Sequence, residues 1–166
     1  MSKQRRDFKS AAKTLYAHEC RIRNAYASDL KLQRPHEKVL SRETRYTSTA
    51  MRADLRTVDS SGLIREWEFK INADHHALGQ VLTYMAHARI ELKFRPVRGV
   101  IASFVFTDEL RRTVEVMNLN IELVTLASWM AFGGNIPVLP TSSKPLAVIP
   151  SLNFHAKPTL TNKEKQ

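Results

Sequence analysis

Apolar residues recur every three to four positions over residues 3–29. Phe8, Ala12, Leu15, Ile22 and Tyr26 fall on one stripe, with Lys9, Lys13, Arg21 and Arg23 on other faces. This spacing predicts an amphipathic helix. Residues 30–43 are polar and contain Arg34-Pro35. A residue before proline is pushed out of helical backbone, so this stretch reads as a connection. Residues 46–71 read as a hairpin. An extended stretch lies within 46–58, Asp59-Ser60-Ser61-Gly62 carries turn chemistry, and 63–71 forms a second strand. In that strand Arg65, Trp67, Phe69 and Ile71 share one face, and Ile64, Glu66, Glu68 and Lys70 share the other.

Helical periodicity returns over 75–90, where Leu78, Val81, Leu82 and Met85 form an apolar stripe and Asn72 or Asp74 can cap the start. Residues 99–106 are a continuous apolar run rich in β-branched and aromatic side chains, as expected of a strand buried on both faces. Thr107 is a good N-cap for a helix over 108–117, with Asp108 and Glu109 in its first turn. Residues 121–126 form a short apolar strand. The order helix, hairpin, helix, strand, helix, strand predicts an α/β domain with a mixed central sheet flanked by helices. Its extent is 1–132, opened by the basic helix. Residues 133–166 begin with Gly133-Gly134 and hold Pro137, Pro140, Pro145, Pro150 and Pro158. They read as a partly disordered extension in which 146–149 could add an edge strand.

Composition narrows the class. The 166 residues suit one domain, and a hydrophobic fraction of 43% is enough for a packed core. A single cysteine excludes a disulfide framework and Cys-rich zinc modules. No apolar run approaches membrane-spanning length, and no secretory signal opens the chain, so a cytoplasmic, soluble protein is expected. The net charge is +10, unevenly spread. Residues 1–45 carry 12 basic and 5 acidic side chains, residues 46–132 carry 10 of each, and residues 133–166 carry 4 and 1. A neutral body with basic ends points to a polyanion partner, nucleic acid rather than a membrane surface.

The chemistry concentrates in the hairpin. With Ser60, Ser61 and Gly62 as a three-residue loop, Gly62 takes the left-handed position and Asp59 faces Leu63. Counting back places Asp54 opposite Glu68, on one face of the sheet. Opposed like charges are destabilising unless a cation lies between them. A four-residue loop would shift the register by one and break this geometry. Lys70, two residues beyond Glu68, projects from the same face. Oxygen ligands from Asp54 and Glu68 suit Mg²⁺ or Mn²⁺ rather than zinc. A metal between two carboxylates, with a lysine beside them, suits phosphodiester hydrolysis. A sheet face laced by cross-strand ion pairs would give the same tripeptide.

Asp54, then Glu68-Phe69-Lys70, then Gln80-Val81-Leu82-Thr83-Tyr84 on the following helix resembles the PD-(D/E)xK nuclease superfamily, nearest its RecB-like branch. The likeness covers about residues 46–126. Ala53 stands where the family name has proline, and Glu66 adds an acid to the active face. The resemblance implies a restriction-endonuclease-like core and metal-dependent cleavage of DNA. Asp54 and Glu68 would be metal ligands with the Phe69 carbonyl as a third. Asp54, Glu68, Lys70 and Gln80 would form the catalytic set. An acid from the first helix, here Glu19, would extend the metal site.

Glu19 interrupts the core-facing stripe of that helix, and a buried acid needs a partner. Pairing with Arg23 at i+4 is the alternative. Lys9, Lys13, Arg21 and Arg23 are the candidate phosphate contacts, with Tyr84 as a base-stacking candidate. Tyr84 and Trp129 also fit core packing, as do Trp67, Phe69 and Cys20. Adjacent His75 and His76, expected to point different ways, do not suggest zinc. The resulting expectation is a Mg²⁺- or Mn²⁺-dependent deoxyribonuclease, an endonuclease acting on DNA. The limited footprint of one small domain suggests a homodimer or a subunit of a nucleic-acid-processing assembly. A catalytically inactive protein of the same fold, binding nucleic acid or serving in assembly, is the competing reading.

Overall fold

The structure, a computed structural model, describes residues 3–131, with side chains from Lys13 onward. The extension at 133–166, with its candidate strand at 146–149, lies outside the described residues. The elements run α1 (Lys3–Ser28), α2 (Leu30–Gln33), β1 (Glu37–Arg45), β2 (Arg52–Asp59), β3 (Ile64–Ala73), α3 (His75–Glu91), β4 (Val97–Phe106), α4 (Asp108–Val116) and β5 (Ile121–Thr125). A short 3₁₀ turn follows at Ser128–Ala131. The five strands lie in the order β1-β2-β3-β4-β5. The first three are antiparallel, and β3, β4 and β5 are parallel. This is the mixed sheet expected, with α3 and α4 as the crossovers that parallel neighbours require. No helix among the described residues is long and apolar enough to cross a membrane.

Two apolar layers flank the sheet. On one side Ala77, Leu78, Val81, Tyr84 and Met85 of α3 pack on Val97, Ile101 and Ile121. On the other, Ile22 and Tyr26 of α1 pack on Leu55, Trp67, Phe69 and Val100. Trp67 and Phe69 are fully buried, as their alternation predicts. Gly99 permits the close approach of α3 to the sheet. A Cβ there would fall 2.2 Å from Val81 Cγ1 and 2.7 Å from Met85 Sδ, well inside van der Waals contact.

The hairpin turn forms as the sequence predicts. Gly62 has φ +84°, a backbone region open to glycine. Asp59 Oδ1 accepts from the amides of Ser61 (2.9 Å) and Leu63 (3.1 Å). The β2–β3 pairing runs from Val58 with Ile64 to Leu55 with Trp67, and just past its end the Asp54 side chain reaches β3 by accepting from the Phe69 amide. Asp74 caps α3 by accepting from the His76 amide, and Thr107 caps α4 by accepting from the Leu110 amide.

Three expectations need correction. Residues 30–43 are not a simple connection, because β1 occupies Glu37–Arg45. As an edge strand, β1 is exposed along most of its length and carries charges where a central strand needs apolar groups. On α3, Leu82 is 40% exposed and Tyr84 takes its place in the core. The α3 face opposite β3 extends one position further round the helix than the simple stripe implies. On α1, Leu15 is 49% exposed, because the helix meets the sheet only from about Glu19 onward.

Candidate active site

A cavity of about 240 Å³ opens beside the ends of β2 and β3, between α1 and α3. Asp54, Glu68 and Lys70 line it from the hairpin, Glu19 and Cys20 from α1, and Gln80 and Tyr84 from α3. Residues far apart in sequence thus meet because β2 and β3 pair in the register fixed by the turn, with one helix on each side.

Each carboxylate is held. Asp54 Oδ2 accepts from the Phe69 amide at 2.8 Å, replacing a strand-to-strand bond with a side-chain one. Its Oδ1 lies 3.7 Å from Arg23 Nη1. Glu68 Oε1 is 2.5 Å from Lys70 Nζ, and its Oε2 accepts from the Tyr84 hydroxyl at 2.9 Å. Glu19 Oε2 is 3.8 Å from Lys70 Nζ, so the alternative pairing of Glu19 with Arg23 is not the one formed. Gln80 Nε2 lies 3.5 Å from the Tyr84 hydroxyl.

Burial dominates the electrostatics. It pushes the Glu68 carboxyl up to about 7, with the Asp54 charge adding to the rise and Lys70 and Tyr84 opposing it. Burial also raises Asp54 and Glu19, against nearby Lys70. For Lys70, burial acts to lower the pKa, but the charges of Glu68, Glu19 and Asp54 outweigh it and hold the ammonium above its ordinary value. Burial raises the Tyr84 hydroxyl too, so it stays a donor.

Arg23 is a buried side chain rather than a solvent-facing contact. It is 5% exposed and paired with Glu43 of β1 as well as with Asp54. Lys13 and Arg21 are exposed, and Lys9 lies outside the described side chains. Tyr84 is 3% exposed and stacked on Tyr46, so its ring offers no platform for a base, and its hydroxyl serves the cavity instead. Trp129 is 62% exposed, not packed in the core. Glu66 shares the sheet face with Glu68 but pairs with Arg56 at 2.6 Å, outside the cavity. Burial pushes its carboxyl up to about 7.

Sequence reasoning missed Glu43, Arg52 and Tyr16. Glu43 falls between the paired positions Arg42–Leu55 and Thr44–Ala53, hence opposite Asp54. Arg52 precedes Asp54 by two residues, a spacing that puts both on one face of β2. Tyr16 precedes Glu19 by three residues on α1, within one helical turn.

The cavity's donors are carboxylate oxygens, the set preferred by hard divalent cations. Lys70 offsets the charge of both Asp54 and Glu68, and the Asp54 charge raises the cost of ionising Glu68. A bound cation would relieve that cost, so the residues fit such an ion. Among the described residues, three ligand atoms come within 4.8 Å of one another only at Asp74, His75 and His76. There the two histidine rings do not diverge but lie tilted against each other, with centroids 4.3 Å apart. Asp74 already serves as the α3 cap and holds His76.

No protein-family model and no curated protein matches the chain significantly. Solved structures do. A repair endonuclease from Pyrococcus abyssi superposes with a TM-score of 0.51 at 25% identity, covering 62% of this chain and 46% of that one. The EndoMS–dsDNA2 complex superposes with a TM-score of 0.50 at 27% identity, covering 62% and 44%. The fold is endonuclease-like. The chain spans less than half the length of these neighbours.

Proposed function

We propose that this chain is a metal-dependent endonuclease that hydrolyses phosphodiester bonds in DNA, a PD-(D/E)xK nuclease nearest the RecB-like branch. The observation that carries the reading is the meeting of Asp54, Glu68 and Lys70 in one cavity. Similarity to a repair endonuclease and to a protein solved with double-stranded DNA supports it.

Asp54 and Glu68, with the Phe69 carbonyl, would hold Mg²⁺ or Mn²⁺, and Glu19 would extend the set. When bound, such an ion polarises the phosphate and lowers the pKa of an attacking water. The chain's own groups do the rest. The Phe69 amide fixes Asp54, and the Tyr84 hydroxyl fixes Glu68. Lys70 remains an ammonium, so it stabilises the negative charge that develops on the phosphate oxygens and does not act as a base. Gln80 faces the same cavity and orients water through its amide.

Incubation of supercoiled plasmid with Mg²⁺ or Mn²⁺, with and without chelator, tests the reading. Wild type should nick or linearise the plasmid only with metal, and Asp54→Asn, Glu68→Gln and Lys70→Ala should not. Undiminished cleavage by Asp54→Asn would remove the site assignment.

A further inference from the structure

Four side chains beside the cavity form a cluster that the proposed chemistry leaves unused. The Glu43 carboxylate receives Arg23 and Arg52, the latter at 2.7 Å, and accepts from the Tyr16 hydroxyl at 3.5 Å. Arg52 also donates to the Tyr16 hydroxyl and lies 5.9 Å from the centre of the Tyr16 ring. Three donors thus converge on one carboxylate. Glu43 is presented from left-handed backbone, φ 52°, a conformation that a residue with a Cβ seldom adopts.

The cations here differ in their freedom. Lys70 is committed to Glu68 and Glu19. Arg23 is buried behind Asp54. Arg52 lines the cavity, and its side chain is 35% exposed. Its partner Glu43 is 31% exposed at the side chain. A guanidinium binds carboxylate and phosphate with the same fork of parallel N–H donors. Glu43 Oε2 takes Nη1 of the Arg52 fork and the Tyr16 hydroxyl takes Nη2, so at the edge of the cavity the carboxylate occupies part of the seat that a phosphate would take.

We infer that Arg52 is a phosphate-binding residue of this site and that Glu43 fills its anion seat until a nucleic-acid phosphate displaces it. The inference rests on the nuclease reading only for the identity of the polyanion. Arg52 contacts a phosphodiester next to the reacting one, with Tyr16 supporting the guanidinium from its ring face. Arg23 stays with Glu43 and Asp54, so the exchange involves one arginine and leaves the sheet intact. Glu43 thereby sets a threshold. An isolated anion competes poorly with a tethered carboxylate, whereas a polyanion already held along the basic helix does so at high local concentration.

The test is fluorescence anisotropy of a labelled DNA duplex in chelator, at several salt concentrations, so that cleavage does not enter. Glu43→Gln should bind severalfold tighter than wild type. Arg52→Gln should bind severalfold more weakly and lower the slope of log K against log salt by about 0.9, the value for one lost phosphate contact. Arg52→Lys should keep the slope while recovering only part of the affinity, because an ammonium lacks the fork. Thermal melts of each variant identify any that fail to fold, and Arg52→Gln carries the test if Glu43→Gln does not fold. Wild-type affinity and slope in Arg52→Gln would overturn the inference and make Glu43 a structural brace. Binding that responds as expected, without cleavage under any metal, would overturn the nuclease reading and uphold this one. Absence of DNA binding by wild type would overturn both.

Discussion

The Tyr84 hydroxyl donates to Glu68 Oε2 at 2.9 Å, joining helix α3 to the strand that carries the central acid. The bond favours the charged carboxylate. Without it Glu68 becomes harder to ionise. Tyr84→Phe should cost about 1 kcal/mol of stability, lower kcat by roughly tenfold, and move the acidic limb of the pH–rate profile to higher pH. An unshifted limb would show that Tyr84 only packs.

Glu68 and Glu66 both have carboxyls raised to about 7 by burial. The native state therefore keeps protons that the unfolded chain releases near the ordinary glutamate value. Stability contributed in this way is complete below that value and is lost as pH rises through about 7. Thermal melts in chelator should show the melting temperature falling between pH 5 and pH 8. Glu66→Gln combined with Glu68→Gln should flatten the curve. A melting temperature that rises across this window would contradict both assignments. Asp74 and Glu43 have lowered values and act with the opposite sign, but only at acid pH, outside this window.

Asp54 ionises at a cost in the free protein, because burial and its acidic neighbours oppose the charge. Asp54→Asn keeps the acceptor for the Phe69 amide and removes that charge. Without metal at pH 8 it should melt at or a few degrees above wild type, a shift corresponding to about 1 kcal/mol, and it should show no cleavage. Added Mg²⁺ should raise the melting temperature of wild type and not of this variant.

Glu19 lines the cavity, 3.8 Å from Lys70 Nζ, and also accepts from the Ile71 amide of β3. If it belongs to the metal set, Glu19→Gln should weaken metal affinity, with activity partly recovered at high Mn²⁺. A titration of cleavage rate against metal concentration reads this directly. A wild-type curve would confine Glu19 to an ion pair with Lys70.

The exposed cations of α1 should act differently from the buried one. Replacing Lys9, Lys13 and Arg21 by Gln should weaken binding about equally on unrelated duplexes and flatten the salt dependence. Arg23→Gln should instead destabilise the fold by on the order of 3 kcal/mol, because it leaves Glu43 and Asp54 with less compensation. Calorimetry alongside anisotropy separates the two effects. An unchanged salt slope in the triple variant would limit those residues to solubility.

The hairpin was legible because its information is local. Four turn residues set the register, and strict alternation in β3 put Glu68 and Lys70 on one face. The first helix was legible in its span but not in its partners. Arg23 reads as a surface charge because nothing adjacent in sequence explains its burial. Its partners sit on β1 and β2, and β1 carries the polar pattern of an edge strand, indistinguishable from a loop. Missing β1 therefore meant missing Glu43, and with it the reason for burying an arginine. Tyr84 is a different case. A tyrosine at the margin of an apolar stripe is compatible with either environment, and only the distance from α3 to β3 decides between them.

That distance has a consequence for the shape of the cavity. Position 99 has no side chain, and Val81 and Met85 occupy the space one would need. A single methyl group there would push the third helix outward and draw Tyr84 and Gln80 away from Glu68, while every acid and cation stayed in place. The clearance of the cavity is therefore set from behind, by a residue that does not line it. A screen for lost cleavage should return Gly99 together with the carboxylates, and its failure would be one of alignment, with the chemical groups all present.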